Sequence, residues 1–160
     1  MAGLVSEHLS RARKVTDLFS GSGTFALRLA HVSEVHAVES DAAALAALDR
    51  AFRGTQGLKR VTVEKRDLFR RPLAAKELNG FDGVILDPPR AGAEDQSKQL
   101  ARSDVPRVAA VSCNPATMAR DLRILIDGGY RLTSVTPIDQ FLWSPHVEAV
   151  ALLEKPKRRR

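Results

Sequence analysis

Cysteine is almost absent: the chain has one, Cys113, in 160 residues. A lone cysteine excludes an internal disulfide framework and any multi-cysteine zinc or iron–sulfur centre built from this chain. Aromatic residues are scarce too, with one Trp, one Tyr and six Phe, so no platform for stacking a nucleic-acid strand is evident. No apolar run is long enough to cross a bilayer, and residues 1–14 contain no signal-peptide hydrophobic core. These absences lead us to expect a cytoplasmic chain without membrane contact. Apolar residues make up 44% and charged residues 28% of the sequence, the composition of an ordinary globular domain. A length of 160 residues suits one domain with a substantial core, and a monomer is expected.

The net charge is +6, but Lys155, Lys157, Arg158, Arg159 and Arg160 supply five of those six charges. Residues 1–154 are therefore nearly neutral. A basic tail can bind phosphates, yet it is also a common form of disordered chain end. Charge alone leaves RNA binding open.

What the sequence does have is alternation of strand and helix signals. Strands are expected at Lys14–Phe19, Val35–Glu39, Val61–Arg66, Phe81–Leu86, Arg107–Ser112, Tyr130–Ile138 and Val147–Glu154. Helices are expected within residues 4–13, at Phe25–His31, at Asp41–Phe52 and at Pro115–Asp127, with a short one within 91–104. Gly54, Gly57 and the Gly128-Gly129 pair mark breaks. The pattern predicts an α/β, doubly wound, mainly parallel seven-stranded sheet. The last two strands are joined too tightly for a parallel crossover, so they should form an antiparallel edge hairpin. In such sheets ligands bind beyond the carboxyl ends of the strands. Phe19, Glu39, Asp67, Asp87 and Cys113 all fall at or just past those ends.

Cys113 lies in V-S-C-N-P-A-T-M-A-R-D-L, residues 111–122. Asn114 is a good N-cap, and Pro115 suits the first helical turn, which needs no N–H from it. The cysteine thus sits at a strand exit beside a helix N-terminus, where the helix dipole favours a thiolate. The plainer alternative is a small apolar filler. Gly21-x-Gly23-x-x-Ala26 fits a dinucleotide fingerprint, and Glu39 stands 18 residues past Gly21, near the spacing of a ribose-binding acid. That pattern serves a nicotinamide cofactor or S-adenosyl-L-methionine. Asp17 ahead of the glycines and Asp67 after the third strand, placed to hold an adenine amino group, favour the methyl donor. Asp67 could equally be a helix cap. In Asp87-Pro88-Pro89-Arg90, two prolines hold the preceding carboxylate still.

Taken together, Asp17-Leu18-Phe19-x-Gly21-x-Gly23, Asp87-Pro88-Pro89-Arg90-x-Gly92, Ser112-Cys113-Asn114-Pro115-x-Thr117-x-Ala119-Arg120-Asp121-Leu122 and His146-Val147-Glu148 resemble the RNA 5-methyluridine (uracil-C5) methyltransferases. The resemblance runs from about Lys14 to Lys155. It implies a class I, Rossmann-like fold, S-adenosyl-L-methionine as cofactor and transfer or ribosomal RNA as partner; the iron–sulfur cysteines found in some relatives are absent from this chain, and no metal is expected. By the same resemblance Cys113 is the nucleophile that adds to C6 of uracil, and Glu148 is the base that removes the C5 proton. Phe19, Gly21, Gly23, Thr24, Glu39, Asp67 and Asp87 contact the cofactor, Glu39 at the ribose. Thr24 stands where relatives often have Asn. His146 orients its loop or caps the strand. Arg120 and Arg123 either meet RNA phosphates or form a solvated helix face.

Relatives of this kind usually carry a long segment before the first strand, with a small RNA-binding barrel and a Gln-containing motif. Here 13 residues precede Lys14. We therefore expect residues 1–13 to be an extension continuing from an upstream region, 14–155 the methyltransferase domain and 156–160 a basic tail. Two alternatives stand beside the enzyme. One is a truncated domain that binds cofactor or RNA with little activity alone; the other is a nicotinamide-dependent oxidoreductase.

Overall fold

The computed structural model of the protein describes residues 1–139 and 147–156. Its strands are β1 (Lys14–Leu18), β2 (Glu34–Glu39), β3 (Val61–Lys65), β4 (Gly83–Leu86), β5 (Arg107–Ser112), β6 (Arg131–Ile138) and β7 (Glu148–Glu154). The helices are α1 (Ala2–Leu9), α2 (Ala26–Leu29), α3 (Ala42–Arg53), α4 (Ala75–Leu78), α5 (Glu94–Arg102) and α6 (Pro115–Asp127). Among the described residues the strands form one seven-stranded sheet in the order β3-β2-β1-β4-β5-β7-β6. The first five pair in parallel. β7 inserts between β5 and β6 and runs antiparallel to both, so the expected edge hairpin is present. Strand order reverses between β1 and β4, which opens a crevice above their carboxyl ends.

The sheet is covered on both faces, and the strands show why. β4 is buried at every position, as a continuous apolar run in a parallel sheet should be. Its side chains alternate between two cores. Val84 and Leu86 join Leu18, Val38, Leu100, Met118 and Leu125 on one face. Ile85 joins Val15, Val35, Leu29 and Leu48 on the other. Residues 1–13, expected as an extension ahead of the domain, pack onto this second face: Val5 and Leu9 of α1 are fully buried there.

Local signals account for the starts of α3 and α6. The Asp41 side chain accepts from the N–H groups of Ala43 and Ala44 to start α3. Asn114 caps α6 by accepting from Ala116 N–H, with Pro115 in the first turn. Some bounds differ from expectation. β1 ends at Leu18 rather than Phe19, because Phe19 leaves the strand at φ 62°. α2 is a short Ala26–Leu29 segment rather than Phe25–His31. α4 was not expected; with four residues it shows no periodicity, and it is held by the burial of Leu78. His146 and the tail from residue 157 onward lie outside the described residues.

Candidate functional site

The site begins where β1 turns out of the sheet. Ser20 N–H donates to the Val38 carbonyl (3.1 Å) and Gly23 N–H to the Ser20 carbonyl (3.1 Å), closing a tight turn. Gly21 adopts φ 54° and donates its N–H to Glu39 Oε2 at 2.9 Å. Glu39 Oε1 accepts from the N–H groups of Ser40 (2.7 Å) and Asp41 (3.1 Å). The acid at the end of β2 thus braces both the glycine turn and the start of α3. The two glycines serve different ends. Nothing lies within 4 Å of a Cβ built on Gly21, whereas one on Gly23, at φ 96°, would sit 2.3 Å from Leu48 Cδ1. Gly23 is needed for packing, and Gly21 faces open space. Thr24 is exposed and is not among the residues lining the adjacent cavity.

That cavity, of about 240 Å³, is lined by Phe19, Glu39, Asp67, Phe69, Asp87 and Pro88, among others. It therefore brings together four of the expected positions, taken from the ends of β1, β2, β3 and β4. Asp67 spends Oδ1 on capping its own turn, accepting from Phe69 N–H (2.9 Å) and Arg70 N–H (3.3 Å); the capping role weighed for it is present, at the cavity wall. Arg66 is the cation nearest these acids along the chain, but its guanidinium is held by Glu77 (2.9 Å) and Glu64 (3.3 Å). A second cavity, of about 180 Å³, shares Phe19, Leu68 and Phe69 with the first and continues toward Gly92 and Arg120.

Acid dominates this rim. Asp17, in the middle of the sheet, is 0% exposed, and neither carboxyl oxygen has a hydrogen-bond partner. Burial pushes its pKa well above the ordinary carboxylate value, with Asp87 and Glu39 adding like-charge repulsion. The Ala26 N–H offsets this in part, although it is not in hydrogen-bonding geometry. Asp87 is raised to about 7, first by burial and then by the charge of Glu148. Asp87, half-buried at the wall of the strand-end cavity, is a strongly perturbed acid, and such groups in a cleft are candidate functional residues.

Cys113 is half-buried and follows the last residue of β5. The antiparallel register of β5 and β7 ends at Ser112 opposite Ala149. Cys113 is the residue after Ser112, and Glu148, the first residue of β7, is the residue before Ala149. Glu148 lies close enough to Asp87 to raise its pKa. Cys113, Glu148 and half-buried Asp87 therefore lie at the ends of neighbouring strands on this rim. Phe69 was not foreseen: it is 49% exposed, and its ring meets that of Phe19 at 5.3 Å between centroids. An isolated exposed Phe in a loop carries no periodic signal. Arg123 pairs with Asp127 on an exposed helix face, whereas Arg120, also exposed, bonds Asp121 and the Ala91 carbonyl and reaches Glu94 at 3.7 Å. Among the described residues no group of three His, Cys, Asp or Glu side chains is arranged to hold a metal ion. None of the described helices is long and apolar enough to cross a membrane.

Comparison with known proteins bears on this corner. The family model described as tRNA (uracil-5-)-methyltransferase matches residues 5–156. An uncharacterized RNA methyltransferase of Mesorhizobium japonicum is 77% identical over 160 residues, covering 100% of this chain and 39% of the relative. The 23S rRNA (uracil(1939)-C(5))-methyltransferase RlmD of Psychrobacter arcticus is 38% identical, covering 92% of this chain and 30% of that protein. Among solved structures, the Pyrococcus abyssi tRNA (uracil-54, C5)-methyltransferase in complex with S-adenosyl-L-homocysteine superposes with a TM-score of 0.80 at 35% identity. That match covers 95% of this chain and 36% of the other. A precorrin-6y C5,15-methyltransferase from Geobacter metallireducens, at TM-score 0.77 and 14% identity, shares the fold alone. The chain spans roughly two fifths or less of the curated relatives it matches, 39% in the first case.

Proposed function

The chain belongs to the tRNA (uracil-5-)-methyltransferase family, and from that premise we propose that it methylates C5 of uridine in RNA, with S-adenosyl-L-methionine as the methyl donor. The observation that supports the reading is the pairing of Ser112 with Ala149, which makes the strand ends that carry Cys113 and Glu148 neighbours beside the acid-lined cavity.

The cavity fits such a cofactor. Its carboxylates suit a sulfonium cation, and Gly21 leaves open space beside it. Glu39 would take the ribose hydroxyls. Its oxygens already accept from backbone N–H groups, and a carboxylate oxygen has a second lone pair to offer. Asp67 would meet the adenine amino edge, Phe19 and Phe69 would cover the ring, and Asp87 would face the charged sulfur. Bound there, S-adenosyl-L-methionine supplies an electrophilic methyl group.

The remaining work falls to the chain's own residues. C5 of uracil is a weak nucleophile. The Cys113 thiolate forms a bond to C6, the C5–C6 double bond opens, and the electron pair passes to C5 and the O4 carbonyl. Once C5 bears its methyl group it still holds its original hydrogen. Glu148 removes that hydrogen as a proton, the C5–C6 double bond re-forms, and the thiolate leaves C6. The proton passes from Glu148 to water, and both residues return to their starting state.

Covalent trapping tests this. Wild type and Cys113→Ala are mixed with S-adenosyl-L-methionine and RNA containing 5-fluorouridine, then resolved on a denaturing gel and by mass spectrometry. Fluorine at C5 cannot leave as a proton, so the enzyme should stall as a methylated protein–RNA adduct, absent from the variant. Absence of adduct in wild type with S-adenosyl-L-homocysteine binding intact by calorimetry would favour a cofactor-binding domain that needs further sequence to grip RNA. Loss of both would refute the methyltransferase reading for this chain. An adduct persisting in Cys113→Ala would refute the role of Cys113.

A further inference from the structure

α6 begins two residues after Cys113, and its polar side chains grip the main chain of the loop that follows Asp87. The Arg90 carbonyl accepts from Asn114 Nδ2 at 3.0 Å and from Thr117 Oγ1 at 3.0 Å. The Ala91 carbonyl accepts from Arg120 Nη2 at 3.0 Å. Ala93 N–H donates to Asp121 Oδ2 at 2.7 Å. Gly92 N–H closes the loop on itself, donating to the Pro89 carbonyl at 2.9 Å. Asp121 is only 6% exposed, and its other oxygen accepts from Arg120 Nε (3.0 Å) and Nη2 (2.9 Å). Its charge is therefore compensated inside the network.

The fit leaves no slack. Gly92 adopts φ 73°, and a Cβ built there would lie 2.6 Å from Arg120 Nη2, 2.7 Å from Asp121 Oδ2 and 3.0 Å from Thr117 Cβ. Asn114, Thr117, Arg120 and Asp121 follow helical spacing along one face of α6. Side chains on successive turns of a surface helix have no packing need to bond another loop's main chain; here all four do. Both ends of the contact abut reacting positions. Asn114 is bonded directly to Cys113, and Arg90 is joined to Asp87 through Pro88 and Pro89, whose fixed φ transmits a shift instead of absorbing it.

We propose that Asn114, Thr117, Arg120 and Asp121 clamp the Arg90–Ala93 loop so as to fix the Asp87 carboxyl, and whatever it faces, relative to the Cys113 thiol. They are positioning residues that join the cofactor half of the site to the nucleophile half. This rests on the reading of Cys113 and Asp87 given above.

The test is the single-turnover rate of adduct formation with 5-fluorouridine RNA at saturating S-adenosyl-L-methionine. It is measured for the chain as wild type, Gly92→Ala, Asp121→Ala and Asp121→Asn, and normalised to calorimetric S-adenosyl-L-homocysteine sites. A displacement of about 1 Å in a reacting geometry can lower a rate by about a hundredfold. Gly92→Ala and Asp121→Ala should lose between about ten- and a hundredfold in rate per binding site, with affinity for S-adenosyl-L-homocysteine changed by less than about threefold. Asp121→Asn, which keeps an oxygen for the Ala93 N–H, should recover part of the loss. A merely structural role would lower the number of binding sites and the melting temperature while leaving the rate per site at the wild-type value, and that result would overturn the clamp. If wild type itself forms no adduct, the functional reading fails on its own account. The clamp is then judged by the carboxyl-carbon NMR titration of Asp87. A midpoint that moves toward the ordinary carboxylate range in Asp121→Ala supports positioning, and an unmoved midpoint refutes it.

Discussion

Replacing Asp87 with Asn should stabilise the protein at pH 8 and leave it nearly unchanged in acid. The carboxyl of Asp87 is raised from 3.8 to about 7, by burial first and by Glu148 second. A carboxyl with a raised folded pKa holds its proton in the native state after the unfolded chain has released it. The native state then binds more protons, and stability falls with rising pH. The penalty is absent below about pH 4, where both states are protonated, grows between about 4 and 7, and is complete above that. From 3.8 to about 7, at 1.36 kcal/mol per pH unit, the full penalty is about 4 kcal/mol. Between pH 5 and pH 8 the wild type should lose about 2–3 kcal/mol relative to Asp87→Asn, the part of that titration lying in the window. The amide is close in shape to the protonated acid, so little else changes. Urea unfolding of both proteins at pH 5, 6, 7 and 8 measures the difference directly. Asp17 is raised chiefly by burial and secondarily by the Asp87 charge, so removing that charge lowers the Asp17 pKa and adds, with the same sign, to the gain of the variant at high pH. A difference that stays flat across the four pH values, or a wild type more stable than the variant at pH 8, would refute the claim that Asp87 is buried at the expense of its charge.

Three further outcomes follow from the same geometry. Glu148→Gln should accumulate a methylated covalent adduct on RNA with ordinary uridine, because the C5 proton has no acceptor; mass spectrometry that finds only free product would remove Glu148 as the base. Gly23→Ala should lose about 2–4 kcal/mol in urea unfolding, since the position combines positive φ with an overpacked contact on Leu48, while Gly21→Ala meets no such contact and carries only the backbone strain. The affinity ratio of S-adenosyl-L-methionine to S-adenosyl-L-homocysteine, by calorimetry, should rise from pH 6 to pH 8, because ionised Asp87 favours the sulfonium cation over the neutral thioether; a ratio that falls or stays constant would place Asp87 away from the sulfur.

The sheet was legible because its signals are local. β4 and β5 are continuous apolar runs, Asn114 and Pro115 announce α6, and the short connection between the last two strands allows only an antiparallel pair. The acids at strand ends were legible as candidates for the same reason, since a strand end is a sequence feature. Their roles were not. Glu39 reads as a ligand for ribose, but the hydrogen bond it accepts from Gly21 N–H arises only because β2 lies beside β1, and neighbour order is not written in either strand. Asp17 reads as part of a glycine signature; its burial follows from β1 being flanked by β2 and β4. Arg120 sits on a helix face that sequence can place but cannot cover. Whether that face meets solvent or the Arg90–Ala93 loop depends on how α6 docks.

The same limit applies most sharply to Cys113 and Glu148. They stand 35 positions apart in the chain, and each alone has an ordinary explanation, a small buried thiol and a strand-end carboxylate. What joins them is the pairing of Ser112 with Ala149. Because side chains alternate faces along a strand, a slip of one residue in that register would turn one of the two to the opposite face of the sheet. The register is pinned by burial: Val108 pairs with Leu153 and Ala110 with Ala151, all in the core on one face. Val111 pairs with Val150, both in the core on the other. The hydrophobic pattern of β5 and β7 therefore does two things at once. It closes both cores, and it makes the strand ends that carry Cys113 and Glu148 neighbours at the rim.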